Sequence, residues 1–459
     1  MGAEMTARST VGSAISVTGR QQPCSGIRLL AVLVLVAWAA FAAPAARAAV
    51  TPEQDPFYTY EGSTPLKRIA PGTVLKTRTV PFHIAEIPLP ITAVQLLYRS
   101  TSELGKPTVN VTSVLLPPVP LAAPTALSYQ SFYDSLSTED DPSYAISGGF
   151  STGGEIPQAE SVLIAPALLA GETVVVPDTE GEEADFSAGP VYGYNTLDSL
   201  RAALSSPATG LTANTKLALA GYSGGAIATE WAAQLAPTYA PEINSDIVGA
   251  AMGGVDVDPA HNLKYVEGSS KWASIIPMAL DGLSRAFHVD LTRYLSGYGQ
   301  ELLKEDQHDS ITNEKEVAGL TWSQLAKPEY PTPEAIPVFV RIANKLNLGG
   351  KQAPTVPFLI GQGNGGEEFE GTPGNKPGIG PGDGVMIAGD VRSLAREWCT
   401  RGVAVQYTEY QHLGHIEGAG PWLPEAATWL AGRFAGLAAP QDCAEIAPGN
   451  SLAPVKKAK

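Results

Sequence analysis

Residues 217–231 read LALAGYSGGAIATEW: an apolar run, a lone hydroxyl between glycines, then a run of helix formers. Whether Ser223 is a nucleophile or a small residue in a tight turn decides how the chain is read. Gly221-Tyr222-Ser223-Gly224-Gly225 fits G-x-S-x-G, the nucleophile elbow in which a sharp strand-to-helix turn exposes a serine above a sheet. Gly149-Phe150-Ser151-Thr152-Gly153 fits it too, so pattern alone does not choose. Context does. LALA supplies the strand, Gly221 and Gly225 clear space around a crowded turn, and GAIATEWAAQLA continues as a helix with Trp231 and Leu235 on one face. That helix would aim its positive end and free N–H groups at the serine oxygen. GGFSTGGEIP has no strand run behind it and meets Pro157 soon after, so Ser151 reads as a loop serine.

A serine near its ordinary pKa is a poor nucleophile and needs a base. In folds with this elbow the chain order is Ser, then Asp or Glu, then His. His261, His288 and His308 fall in a segment away from strand ends, whereas His412 and His415 follow the run VAVQYTEY (403–410). Gly414 and the small residues of QHLGHIEG let the backbone bend at His415, which is favoured over His412. For the acid the residues offer Asp256 or Asp258 after GGV, Asp383 in GPGDG, and Asp390 in AGDVRSL. An N-cap role is expected for Asp390. Asp383 is preferred, because a helix and one strand separate it from His415.

Around this stretch the chain alternates. ITAVQLLYRS and TVNVTSVLL, within residues 50–127, predict opening antiparallel strands. GETVVVP (171–177), TKLALA, DIVGAAMGG (246–254), TVPFLIGQG (355–363) and VAVQYTEY predict buried strands. NTLDSLRAAL (195–204), the elbow helix, VRSLAREWCTRG (391–402) and PEAATWLAGRF (424–434) predict helices between them. Such alternation implies a mostly parallel sheet covered by helices on both faces. Between about 255 and 350 it breaks. There Trp272, Ile276, Leu280, Leu283, Phe287, Leu291, Tyr294 and Tyr298 recur at steps of three and four, a helical stripe broken near Gly282 or Asp290. The stripe reads as the seam of a helical insert and as a face lining an acyl pocket.

Composition bounds the partners. With 459 residues, 44% hydrophobic and formal net charge −16, the chain can bury a large core and would repel phosphate backbones, which argues against nucleic acid. Arg20 and Arg28 precede a 15-residue apolar run (29–43) and an Ala46-Arg47-Ala48 ending, the pattern of a secretory signal peptide cleaved after Ala48. The run is shorter than the roughly 20 apolar residues of a membrane span. Cys24 leaves with that leader, and the remaining pair, Cys399 and Cys443, is expected to be bridged in an oxidising compartment. Gly361-x-Gly363-x-x-Gly366 matches a dinucleotide fingerprint, but Glu367, Glu368 and prolines follow where a helix should begin, so no nucleotide is expected. No motif for a metal or other cofactor stands out.

Several spaced motifs in order then resemble the lipase A-type secretory lipases of fungi and actinobacteria. They are DPFY (55–58), LLYRSTSELGKP (96–107), SYQSFYDS (128–135), PSY (142–144), VVVPDTEG (174–181), GYNTLDSLRAAL (193–204), GYSGG, GDGVM and GHIEG. The resemblance implies an α/β-hydrolase fold with an inserted helical cap and hydrolysis of lipid or small acyl esters, with the cap touching lipid interfaces. It implies Ser223 as nucleophile, Asp383 as acid and His415 as base, with an oxyanion hole from the N–H groups of Gly224 and Asp134. The organisation that follows is a leader (1–48), a core in two parts (49–254 and 351–445) around the cap (255–350), and a tail (446–459). Two features depart from the family: the long loop 361–384 before the acid, and the absence of a cysteine in EDDPSY.

Overall fold

The computed structural model describes residues 50–458 apart from Ala85 and Glu316. The leader read over residues 1–48 lies outside the described residues. Nine strands form one sheet: β1 (Val74–Ile84), β2 (Ile87–Thr101), β3 (Pro107–Leu115), β4 (Thr125–Gln130), β5 (Thr173–Pro177), β6 (Lys216–Tyr222), β7 (Ile247–Gly253), β8 (Phe358–Gly363) and β9 (Val405–Tyr410). Their spatial order is β1-β2-β3-β5-β4-β6-β7-β8-β9. Pairing is antiparallel from β1 through β3 to β5 and parallel from β5 to β9. This is the α/β-hydrolase arrangement expected from the sequence.

Two strands escaped the sequence reading, for different reasons. β1 carries Pro81 and pairs only with β2, and an edge is where a strand tolerates a residue with no N–H to donate. β4, TALSYQ, is short and carries Ser128 and Gln130, both fully buried. Gln130 accepts a hydrogen bond from Thr229 at 2.8 Å, so its polarity is satisfied inside the core.

The helices α1 (Gly189–Ser205) and α2 (Gly224–Tyr239) pack beside the sheet as predicted. In the insert lie α3 (Pro259–Val266), α4 (Ile275–Ala286), α5 (Gly297–Glu305) and α6 (Pro337–Leu346). Beyond it come α7 (Ala388–Thr400) and α8 (His415–Phe434). α8 begins nine residues before the expected PEAATWLAGRF and runs through Pro421 and Pro424. Both prolines face solvent, while Trp422, Ala426, Trp429 and Leu430 bury a face against the sheet, and that burial outweighs the lost helical hydrogen bonds.

The stripe of the insert divides. Its break falls at 287–291, where His288 takes φ 49, and Gly282 lies inside α4. Leu291 joins a cluster with Leu302, Leu325 and Ile336, to which Ile379, Val385 and Ile387 contribute from beyond β8. Phe287 instead packs on the sheet core under the Lys345 ammonium, and Tyr298 is exposed. Leu283, Ala286, Ile342 and Leu346 also belong to the sheet core, so insert and sheet share one packed interior. Residues 446–450 lie against α7, where Ile446 is buried and Asn450 donates to the carbonyl of Ile379 and to Asp390, both at 2.7 Å, and Val455 further on pairs with Asn344 of α6. Cys399 and Cys443 are disulfide-bonded, with Cα atoms 5.7 Å apart, which ties the start of this tail to α7.

Candidate active site

Ser223, Asp256, Asp383 and His415 each come after the carboxyl end of a parallel strand, the edge where open α/β sheets gather ligands. β6 delivers Ser223, β7 leads to Asp256, β8 to Asp383 and β9 to His415. Because β4 lies beside β6, Asp134, four residues past β4, arrives next to Ser223.

Ser223 sits at φ 54 and ψ −123, a conformation costly for a residue with a side chain, held because strand and helix are fixed on either side. A Cβ on Gly221 would lie 2.1 Å from the carbonyl oxygen of Gly225, and one on Gly225 would lie 2.1 Å from that of Gln130. Both positions therefore exclude any side chain. Ser223 Oγ is 2.7 Å from His415 Nε2, and His415 Nδ1 is 2.8 Å from Asp383 Oδ2. Asp383 is fully buried. Its Oδ1 accepts from the N–H groups of Val385 (3.0 Å) and Met386 (2.7 Å), and its Oδ2 also accepts from Gln362 Nε2 (2.9 Å).

The long loop reaches this point by close packing. The glycines that mimic a nucleotide fingerprint do the work: a Cβ on Gly363 would lie 2.6 Å from the carbonyl oxygen of Leu413 and 2.9 Å from Asp383 Cβ. One on Gly366 would lie 2.0 Å from the amide nitrogen of Gly384. Only one helical turn, Gly366–Phe369, follows. The same loop supplies Glu370, buried, which accepts from Trp272 Nε1 (3.1 Å), Lys271 Nζ (2.6 Å) and the amide of Ile416 (3.2 Å). Trp272 stands edge-on to the His415 ring at 5.7 Å between centroids. Glu370, Gln362 and Trp272 as a ring neighbour carried no sequence signal, since each acts through a contact between distant segments.

Burial alone would lower the His415 pKa, but the Asp383 carboxylate, with Glu370 and Asp134, raises it above the usual imidazole value. Burial pushes the Asp134 carboxyl up to about 7, and the His415 charge and the Gly224 amide pull it partly back. A Cβ on Gly224 would fall 1.7 Å from Asp134 Oδ1, so this carboxyl lies directly over the residue after Ser223.

The other candidates stand elsewhere. Ser151 donates to Asp140 at 2.5 Å and meets no histidine. His412, His288 and His308 are exposed. His261 pairs with Asp390 at 3.0 Å. Asp390 is not an N-cap as expected: Ile387 holds that position, and Asp390 lies in the first turn of α7 facing His261 and Asn450. Asp258 caps α3 by accepting from the amide of Ala260 at 3.0 Å. An apolar pocket opens beside Ser223 and Gly224, lined by Leu263, Val266, Ile276, Leu280 and Leu283. Phe287 and Tyr298 of the stripe do not line it. Among the described residues no cluster suited to a metal ion occurs, and no helix is long and apolar enough to cross a membrane.

Comparison with known proteins follows the same lines. The family model described as secretory lipase matches residues 151–367. A Mycobacterium tuberculosis protein named as a probable inactive lipase is 31% identical over 395 residues, 84% of this chain and 83% of its own. Candida albicans lipase 2 is 31% identical over 393 residues, covering 81% and 79%. The closed state of Candida antarctica lipase A superposes with TM-score 0.76 at 25% identity, over 90% of this chain and 93% of that one. A rice cell wall degrading esterase from Xanthomonas oryzae, 14% identical with TM-score 0.55 over 80% and 98%, shares the fold. The chain belongs to the secretory lipase family, lipase-type hydrolases built on the α/β-hydrolase fold.

Proposed function

We propose that this chain is a secreted carboxylic ester hydrolase that cleaves acyl esters of lipids through an acyl-enzyme. Ser223 attacks the ester carbonyl while His415 takes its proton at Nε2. Asp383 holds the imidazole in the tautomer that leaves Nε2 free and stabilises the imidazolium that forms. The N–H groups of Gly224 and Asp134 receive the developing oxyanion. His415 then returns its proton to the leaving alcohol, and water, activated by the same imidazole, releases the acid.

The observation that carries this reading is the hydrogen-bonded chain from Ser223 through His415 to Asp383, at 2.7 and 2.8 Å. The apolar pocket beside it supports an acyl chain as the bound group. The relative named as probably inactive makes a binding protein without catalysis the competing reading, and transfer to an alcohol instead of water the other. One experiment separates all three: incubate the mature protein with nitrophenyl esters of graded chain length, with and without added alcohol, beside Ser223→Ala. Hydrolysis lost in Ser223→Ala supports the proposal. New ester formed from the alcohol in preference to acid marks a transferase, and bound but uncleaved ester marks a binding protein.

A further inference from the structure

The pocket beside Ser223 contains polar groups that an alkyl chain does not need. Asp256, three residues past β7, lines it, and its Oδ1 is buried with no hydrogen-bond partner among the described residues. Its neighbours are all engaged. Asp258 caps α3 and accepts from Asn347 Nδ2 at 2.6 Å. Asp390 holds His261 at 3.0 Å and Asn450 at 2.7 Å. Asp256 as a whole is half-buried, so its carboxyl opens on the pocket while Oδ1 goes unpaired, and a polar atom left unpaired in an otherwise apolar pocket points to use by a ligand.

Asn262 joins it. On α3, Pro259, Asn262, Leu263 and Val266 present one face to the pocket, and Asn262 is the polar member. Its Nδ2 donates to Met386 Sδ at 3.2 Å, a weak acceptor that a better one would displace. The location along the pocket follows from the backbone: a Cβ on Gly254 would lie 2.7 Å from His415 Cε1. Asp256 is two residues on, a reach of at most about 7 Å between Cα atoms. Asp256 therefore lies near the reacting ester and not at the far end of a long chain, and Asn262 lines the same pocket.

We propose that Asp256 and Asn262 form a polar subsite that takes a hydroxyl group carried by the ester substrate close to its carbonyl. Burial, with Asp258 and Asp390 nearby, pushes the Asp256 carboxyl up to about 8. At neutral pH it is thus an uncharged acid that both donates and accepts, which matches a hydroxyl better than a cation. The inference rests on the ester-hydrolase reading.

The test compares kcat/KM of the mature protein for ethyl octanoate with its 2-, 3- and 6-hydroxy derivatives, and separately with mono-octanoyl glycerol. The first arm places the hydroxyl on the acyl chain and the second on the alcohol. At least one hydroxylated ester should be preferred by about tenfold, the worth of one hydrogen bond of moderate strength. Asp256→Leu and Asn262→Leu should each abolish the preference, and Asp256→Asn should retain part of it. Asp256→Leu should also raise the thermal midpoint, because it removes an unpartnered carboxyl. Cleavage of all esters without preference, or a preference that survives both leucine variants, overturns the subsite alone. A protein that cleaves none of them overturns the hydrolase reading and the subsite with it.

Discussion

The hydroxyl of Tyr222 donates to the backbone carbonyl of His415 at 2.6 Å, so the residue before the proposed nucleophile holds the backbone of the proposed base. Their rings also lie 5.3 Å apart. Tyr222→Phe keeps the ring and removes one hydrogen bond from a carbonyl that, at the start of α8, also accepts along the helix. Stability should fall by about 0.5–1.5 kcal/mol, with turnover reduced more than KM is raised. Chemical denaturation and steady-state kinetics on a short ester check both. Unchanged values would mean that the carbonyl finds another donor.

The acid is separable from its rivals by neutral isosteres. Asp383→Asn should lower turnover roughly 10⁴-fold, since the amide no longer selects the imidazole tautomer. Asp390→Asn should cost little turnover, because its partners are His261 and Asn450, away from Ser223. A collapse in Asp390→Asn with near-normal turnover in Asp383→Asn would reverse the assignment.

The rate should be bell-shaped in pH. His415 must be neutral to accept a proton, and its raised pKa moves the rising limb above the ordinary imidazole range. Asp134, pushed up to about 7, is neutral below that pH and ionised above it. An anion beside Gly224 opposes the negative charge that develops there, so rate should fall as pH climbs past Asp134's pKa. Glu160, pushed up to about 7 by burial, also interacts with Asp134 and would shift that limb as it ionises, and Glu180, raised well above the usual carboxylate range by burial, interacts with Asp134 as well. Asp134→Asn, which keeps the backbone N–H, should remove the alkaline fall. A falling limb that is the same in Asp134→Asn would assign it to another group.

Gly363→Ala tests the packing between the end of β8 and the long loop while leaving Ser223, Asp383 and His415 unmutated. The new methyl would collide with the Leu413 carbonyl and push on Asp383. Turnover should drop by at least tenfold, the scale of a base displaced from its working geometry. An active Gly363→Ala enzyme would show that the loop can give way.

The disulfide closes a segment of 44 residues and should contribute about 2–4 kcal/mol. Replacing both Cys399 and Cys443 with Ala should lower the unfolding free energy measured in urea by that amount and expose the tail to protease first. Equal protease resistance would show that Ile446 and Asn450 suffice to hold it.

Local patterns were legible because they act locally. The turn Gly221–Gly225 between an apolar run and a helical run is decided by strain and crowding within a few residues, and LALA with GAIATEWAAQLA stated it openly. The order Ser223, Asp383, His415 likewise followed from the chain order typical of folds with this elbow, and parallel strands bring their carboxyl ends to one edge. The Cys399–Cys443 pairing followed from there being two cysteines left. What the sequence by itself determined was thus the fold class, the elbow and the set of candidates. The tertiary structure decided which of those candidates meet. β4 is buried through a Gln130–Thr229 hydrogen bond that no hydropathy pattern records, yet its place beside β6 brings Asp134 over Gly224. Gln362, at the end of β8, steadies Asp383, and Glu370 steadies Trp272 and the start of α8 from a loop that reads as Gly- and Pro-rich. Phe287 and Tyr298 share the period of Leu283 but do not line its pocket, because α4 ends at Ala286 and His288 turns the chain where periodicity alone would continue it. Asp256 and Asp390 look alike on paper, and only packing leaves one without a partner and gives the other a histidine. Periodicity and spacing report the angle at which a side chain leaves its own element; the partner that it finds is fixed by other elements arriving from far along the chain.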